Sequence, residues 1–335
     1  MAERLPWHEP LWRQLQLRVA NRRLPHALLL TGRLGLGKLI FARRLAQALL
    51  CEKRDEGGDA CGRCRGCRLL QAGSHPDFNV LRSAEESKVI KVDQIRELRN
   101  FLSFTPQYGG YKIALLESAD SLNLNAANSL LKTLEEPPGD SLLVLVSAQA
   151  ARLPATVRGR CQALRFERPP AHQARAWLAS RISSELEPQT LLAAAAGAPL
   201  AALALADLAR WNRRRHLIEN YEQLTAGKVD PIQAAAVWLQ GDLGENLRWL
   251  IGWHTDLIRL KMSSEPPWLG NPDLRPRLQH WADRWTPRAL FARLDGAVRL
   301  HVLCSTTQVN SQLLLEAFFN DSAAGSESAG FQSAL

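Results

Sequence analysis

No uninterrupted apolar run in these 335 residues is long enough to cross a bilayer. The most apolar stretch, Leu191 to Ala206, is broken by Gly197 and Pro199, so two short packed helices are expected there. The first seventeen residues lack the apolar core of a secretory signal and carry Glu3, Arg4, Pro6 and His8 instead. A cytoplasmic protein with no membrane partner is therefore expected. Acidic residues are the minority charge: 42 Lys and Arg against 33 Asp and Glu leave a formal charge of +9. That balance favours acidic partners such as nucleic acid, and it suits equally well a chain that solvates its surface with arginine. With 46% hydrophobic and 22% charged residues, the composition is that of an ordinary globular protein with room for two or three domains.

Cysteine is also scarce, but four of the six are clustered. Cys51, Cys61, Cys64 and Cys67 are separated by nine, two and two residues, giving two CxxC pairs that share Cys64. Gly62 and Gly66 ease the turns between them. Four thiolates suit a closed tetrahedral zinc site with no open position for chemistry. An iron–sulfur run needs another cysteine soon after Cys67, and the next is Cys161. A redox pair would not need the other two thiols, and His75 in place of one ligand is the remaining alternative. Structural zinc in a reducing compartment is the expectation.

Read in order, Trp7 to Arg22 predicts an amphipathic helix on Leu11, Leu15 and Val19, and Ala27 to Leu30 a buried first strand. Gly32-Arg-Leu-Gly-Leu-Gly-Lys38 follows, then a helix to about Leu50. Strand, glycine-rich turn and helix N-terminus are the setting of a phosphate-binding loop, in which Gly32, Gly35, Gly37 and Lys38 would cradle phosphates. The motif requires Ser or Thr after the lysine to hold magnesium, and this chain has Leu39. The loop is therefore expected to take ATP or ADP weakly or not at all, and its glycines alternatively preserve only a tight turn. Further strands are expected at Asp77 to Leu81, from Lys112 towards Asp120, at Leu142 to Val146 and at Leu164 to Phe166. A helix is expected at Val92 to Leu102. Another, with Leu124, Ala127, Leu131 and Leu134 on its core stripe, ends at Pro137-Pro138. This alternation reads as an α/β fold with a parallel, doubly wound sheet and helices on both faces.

The string Leu-Leu-Lys-Thr-Leu-Glu-Glu-Pro-Pro (130–138), followed by Gly-Arg-Cys (159–161), resembles the clamp-loader branch of the AAA+ ATPases. The likeness covers residues 6 to 205 well and the last third loosely. It implies an AAA+, P-loop-like domain over 1–166 with a zinc module at about 51–75. A small helical lid over 167–208, an all-helical collar over 209–320 and a disordered tail over 321–335 would follow. The family's triplet is Ser-Arg-Cys, with an arginine that reaches into a neighbouring subunit's nucleotide site. The resemblance thus implies that Arg160 is an arginine finger acting in trans, with Gly159 in place of the serine; Arg158 competes by position. Active relatives carry Asp-Glu where this chain has Glu117 and Ser118, and an arginine where it has Leu200. The implied role is a non-hydrolysing subunit of a DNA polymerase III clamp loader. Its implied partners are gamma/tau-type ATPases and a delta subunit, and through the complex a sliding clamp and primed DNA. The rival readings are an ATP-hydrolysing gamma/tau-like motor subunit and a stand-alone zinc-dependent nucleic-acid binder. Further on, Trp238, Trp249, Trp253, Trp281 and Trp285 fall at helical spacings and read as anchors. The basic run Arg213 to Arg215 offers a DNA contact, but a solvated helix start or an inter-subunit contact is the favoured reading.

Overall fold

Parallel strands cannot be joined by tight turns, so each crossover of the sheet carries a helix. The structure, a computed structural model, describes residues 3–83, 89–108, 110–184, 186–306 and 309–323. It forms two compact units, Met1–Gln173 and Ala174–Leu335. In the first, α1 (Glu9–Ala20) is followed by β1 (Ala27–Thr31), α2 (Lys38–Leu49), α3 (Arg65–Gln71) and β2 (Phe78–Leu81). Then come α4 (Val92–Ser103), β3 (Lys112–Leu116), α5 (Leu124–Glu135), β4 (Ser141–Ser147), α6 (Ala155–Arg158) and β5 (Gln162–Arg165). The strands lie in the order β2-β3-β4-β1-β5, and every pairing is parallel.

Side chains alternate along a strand, so Ala27, Leu29, Ala114, Leu116, Leu143 and Leu145 turn to one face. There Ile95, Leu98 and Leu102 of α4, Ala127, Leu130 and Leu134 of α5, and Val157 of α6 pack on them. The alternate residues, Leu28, Leu30, Ile113, Leu115, Leu142 and Val144, are equally buried on the other face, where α2 packs against β1 and β4. The expected doubly wound parallel sheet is present. Three details differ from the sequence reading. Leu124 is 68% exposed, because it is the first residue of α5 after the Asn123 cap and points away; Ala126 and Leu130 are buried instead. The strand read towards Asp120 stops at Leu116, and Ala119–Ser121 form a 3-10 turn. In α1 the buried anchors are Trp12 and Leu15, with Leu11 and Val19 half-buried.

The second unit is helical: α7 (Ala171–Ala179, beginning at the unit boundary), α8 (Pro188–Ala194), α9 (Pro199–Leu205), α10 (Leu208–Thr225), α11 (Pro231–Leu239), α12 (Leu243–Met262), α13 (Arg275–Arg284), α14 (Pro287–Thr306) and α15 (Ser311–Ala323). The apolar run at 191–206 folds as two helices bent by 108°, and among the described residues no single helix is long and apolar enough to cross a membrane. α9 touches α10, and α8 touches the Pro272–Leu274 turn, so both pack within this unit. Trp238, Trp249, Trp253 and Trp281 are buried, and Trp285 stacks on Trp281. Arg214 corrects the reading of the basic run: it is buried and donates to Asn271 and Asp273 at 2.7 Å, so it is an internal tie. Helix α15 continues to Ala323, past the expected start of the tail at 321. Residues 324–335 of that tail lie outside the described residues.

Candidate nucleotide loop, finger and metal centre

The glycine-rich loop links β1 to α2 and lies close against Leu5, His8 and Phe166. Gly32 and Gly37 have φ of +139° and +84°, and a Cβ at either would strike neighbours: the Phe166 carbonyl at Gly32, Leu5 and His8 at Gly37. Glycine is thus required by conformation and by close packing together. Gly35 also has positive φ, at 81°. Trp7 Nε1 and His8 Nε2 both donate to the Leu36 carbonyl, at 2.9 and 2.8 Å. The His8 ring lies edge-on to Phe41 and Phe166. Lys38 is 5% exposed, and its Nζ turns back to the carbonyls of Gly32 at 2.5 Å and Arg33 at 2.6 Å. Burial lowers its pKa to about 8. Leu39, half-buried at the start of α2, offers only carbon where the motif needs a hydroxyl.

Beyond β3, Glu117 is held by two arginines. Arg43 of α2 pairs with Oε1, and Arg82 donates through Nε to Oε2 at 3.0 Å. Ser118 pairs with Ser121, Oγ to Oγ at 3.1 Å. Asp120 is committed as well: it accepts from Ser147 Oγ at 2.5 Å and from the Ala148 and Gln149 amides, closing the end of β4. Each of these side chains therefore already has a partner within the chain. Leu200 is on α9, in the second unit.

Arg160 follows α6 and is 40% exposed. Its Nη2 contacts Glu135 Oε1 at 2.7 Å, and Nη1 donates to the Thr156 carbonyl at 3.1 Å. Arg158 bonds through its backbone, its amide to the Pro154 carbonyl, but among the described residues its guanidinium has no hydrogen bond or ion pair, so the two candidate arginines differ in this respect. Gly159 has φ of −68°, which any residue adopts, so the backbone does not demand glycine there. Cys161 packs against the core under α5 and α6, and burial raises its thiol to about 11.

The four clustered cysteines do converge. All four Sγ atoms lie within 4.8 Å of one another, and Cys51 and Cys64 are 3.9 Å apart. Four thiolates about 2.3 Å from a tetrahedral zinc stand roughly 3.8 Å apart, so the set fits with only slight contraction. Backbone amides already point at the sulfurs: Cys61 N to Cys51 Sγ at 3.2 Å, Cys64 N to Cys61 Sγ and Cys67 N to Cys64 Sγ at 3.4 Å. Amides of Arg63 and Cys64 lower the Cys61 thiol to about 6, whereas burial pushes Cys51 and Cys67 up. His75 is not a member of the set; its Nδ1 accepts from the Asp77 amide at 3.1 Å. The loop before Cys61 is tied down by Asp59, which takes both Arg44 Nε and Nη2 at 2.6 and 2.7 Å, and Arg44 lies over Trp12.

The sequence reading missed the partners: Trp7 and His8 on the loop, Arg43 and Arg82 on Glu117, Asp59 with Arg44, and Glu135 beside Arg160. Only the last left a local signal, two glutamates at the wrong end of a helix.

The family DNA polymerase III, delta subunit, matches residues 7–170. The family DNA polymerase III, delta subunit, C terminal, matches residues 209–322. The DNA polymerase III subunit delta' of Pseudomonas aeruginosa is 37% identical over 321 residues, 95% of this chain and 96% of that protein. Its Escherichia coli K12 counterpart is 33% identical over 315 residues, 92% of each. The DNA polymerase III subunit tau of Bacillus subtilis is 32% identical over 160 residues, 48% of this chain and 28% of that one. Matched from end to end in this way, the chain belongs to the delta-prime family of DNA polymerase III clamp-loader subunits.

Proposed function

We propose that this subunit does not hydrolyse ATP and instead supplies Arg160 to the nucleotide site of a neighbouring tau-type ATPase in the clamp-loader ring. The observation that carries the first half is the capture of Glu117 by Arg43 and Arg82. A carboxylate neutralised by two guanidinium groups is a poor hydrogen-bond acceptor for a nucleophilic water. Leu39 and the inward-turned Lys38 support the same reading from the phosphate side. The second half is supported by the exposure of Arg160 in the Gly-Arg-Cys triplet. A guanidinium aimed at a γ-phosphate offsets the charge that develops there and contributes on the order of a thousandfold in related enzymes. Cys51, Cys61, Cys64 and Cys67 hold structural zinc, which when bound fixes the local fold and has no open coordination position. Residues 167–208 act as a lid and 209–320 as a collar that assembles with sister subunits. Delta and tau subunits, the sliding clamp and primed DNA are the partners, in the cytoplasm.

The test is an ATPase measurement with magnesium, on the purified chain and on the complex reconstituted with tau, delta, clamp and primed DNA. The chain alone should show no turnover. Arg160→Ala should leave assembly intact and lower the rate of the complex several-fold. Robust turnover by the isolated chain, or an Arg160→Ala complex as fast as the wild type, overturns the corresponding half.

A further inference from the structure

Helix α5 ends where Pro137 and Pro138 forbid its continuation, and its last residue and its C-cap are Glu135 and Glu136. Two carboxylates at the negative end of a helix dipole are placed against local preference, which calls for Lys or Arg there. Lys132 is the one basic residue in that last turn, yet Glu135 turns away from it to Arg160, 2.7 Å distant and 25 positions along the chain. Local rules broken without a packing reason mark functional positions. The end of α5 is also a fixed platform: His26 Nε2 donates to the Leu134 carbonyl at 3.0 Å, and Leu134 is buried.

We propose that Glu135 is a positioning residue for Arg160, a tether at the end of α5 that aims the guanidinium before a neighbour's phosphate arrives. The inference rests on the arginine-finger reading above. The guanidinium has five N–H donors in a rigid fork. Nη2 is ion-paired with Glu135 and one Nη1 hydrogen goes to the Thr156 carbonyl of α6, so the group is held at two points on two elements and keeps Nε for an incoming anion. A long, solvent-exposed arginine without such ties samples many rotamers, and freezing it costs free energy at the moment of reaction. The Arg158 guanidinium has no partner among the described residues, so the tether also selects which of the two arginines is presented. Both Glu135 and Arg160 are about half-exposed, at 50% and 40%, so the effect is modest and salt-sensitive. Exposed pairs of this kind translate to roughly two- to five-fold in rate.

The experiment compares Glu135→Ala, Glu135→Gln, Arg160→Ala and the double variant in the reconstituted clamp-loader complex, reading kcat and KM for ATP at low and high salt. Glu135→Ala is expected to lower kcat roughly two- to five-fold with KM unchanged, and Glu135→Gln, which keeps a hydrogen-bond acceptor, to fall between. The double variant should be no slower than Arg160→Ala alone, and the gap between wild type and Glu135→Ala should close as salt rises. Unchanged melting of the free subunit separates this from a folding defect. If Arg160→Ala slows the complex and Glu135→Ala does not, the tether is overturned while the finger survives; a faster Glu135→Ala complex overturns it too, by making Glu135 a competitor. If Arg160→Ala itself is silent, the finger reading fails and the tether falls with it.

Discussion

At the scale of single residues, Glu117 argues against turnover more strongly than Leu39 does. A missing hydroxyl is one substitution from repair, but Glu117 is held by Arg43 from α2 and by Arg82 from the end of β2, on two sides at once. Lys38 is bound inward by two carbonyls of its own loop, and Trp7 and His8 pin the Leu36 carbonyl beside it. Leu39→Thr alone is therefore expected to leave the purified chain without magnesium-dependent ATPase. A phosphate-release assay over hours checks this, and measurable turnover from the single substitution would show that the arginine clamp is no obstacle. The clamp was not legible in the sequence. Arg43 and Glu117 are 74 positions apart, Arg82 and Glu117 35, and no spacing rule links residues that meet only when β2, β3 and α2 are assembled. What was legible was local: the glycine turn, the lysine at its end and the missing hydroxyl all lie within eight residues.

At the scale of elements, the cysteine module shows how much a spacing carries and where it stops. Two CxxC pairs account for the convergence of three sulfurs, because each short loop brings its two thiols together and Cys64 belongs to both; Cys51, just past the end of α2, brings the set to four within 4.8 Å. The docking of the module was not readable, since the Arg44–Asp59 pair depends on α2 presenting a buried guanidinium to a loop after it. Helix α3 has only seven residues and is capped by Cys64, whose sulfur accepts from the Cys67 amide. So short a helix is not stable by itself. Cys64→Ser, or chelation of the wild type, is expected to remove about one zinc per chain and to speed amide exchange across Arg65–Gln71 on the order of ten-fold or more, leaving β1, β3 and β4 protected. Metal analysis alongside hydrogen exchange reads both; α3 amides equally protected without metal would mean that Asp59, Arg44 and Trp12 hold the module unaided. Leu124 shows the opposite limit: helical spacing put it on the core stripe of α5, but the cap at Asn123 made it the first residue and left it in solvent.

At the scale of the whole molecule, each compact unit buries a histidine that resists protonation, and together they set an acid limit on the fold. In the first unit, His8 packs between Phe41 and Phe166 and donates through Nε2 to Leu36. In the second, His254 is enclosed by Tyr221 and Trp285, donating through Nδ1 to the Leu250 carbonyl and accepting at Nε2 from the Tyr221 hydroxyl. Burial lowers both to about 4 from an ordinary 6.5, helped by the charges of Arg44 near His8 and Arg293 near His254. The unfolded chain therefore takes up these protons near pH 6.5, and the folded chain only near pH 4. Between those values the unfolded state binds more protons, so stability is fully present above 6.5 and drains away as pH falls towards 4. The loss at pH 5.5 is about 1.4 kcal/mol for each histidine, rising to about 3 kcal/mol below pH 4. Urea unfolding at pH 7.5 and 5.5 should show it, and His254→Gln should remove the share that belongs to the second unit while leaving that of the first. The buried Asp77–Lys112 pair works in a different window: against the raising effect of burial, the Gln107 and Tyr108 amides and Lys112 lower the Asp77 pKa, so its share begins to drain when the unfolded chain takes up that proton in the ordinary carboxylate range and is gone once the folded carboxylate also protonates, below it. A midpoint that stays constant from pH 7.5 to 5.5 and drops only in the carboxylate range would mean that neither histidine is kept neutral by the fold.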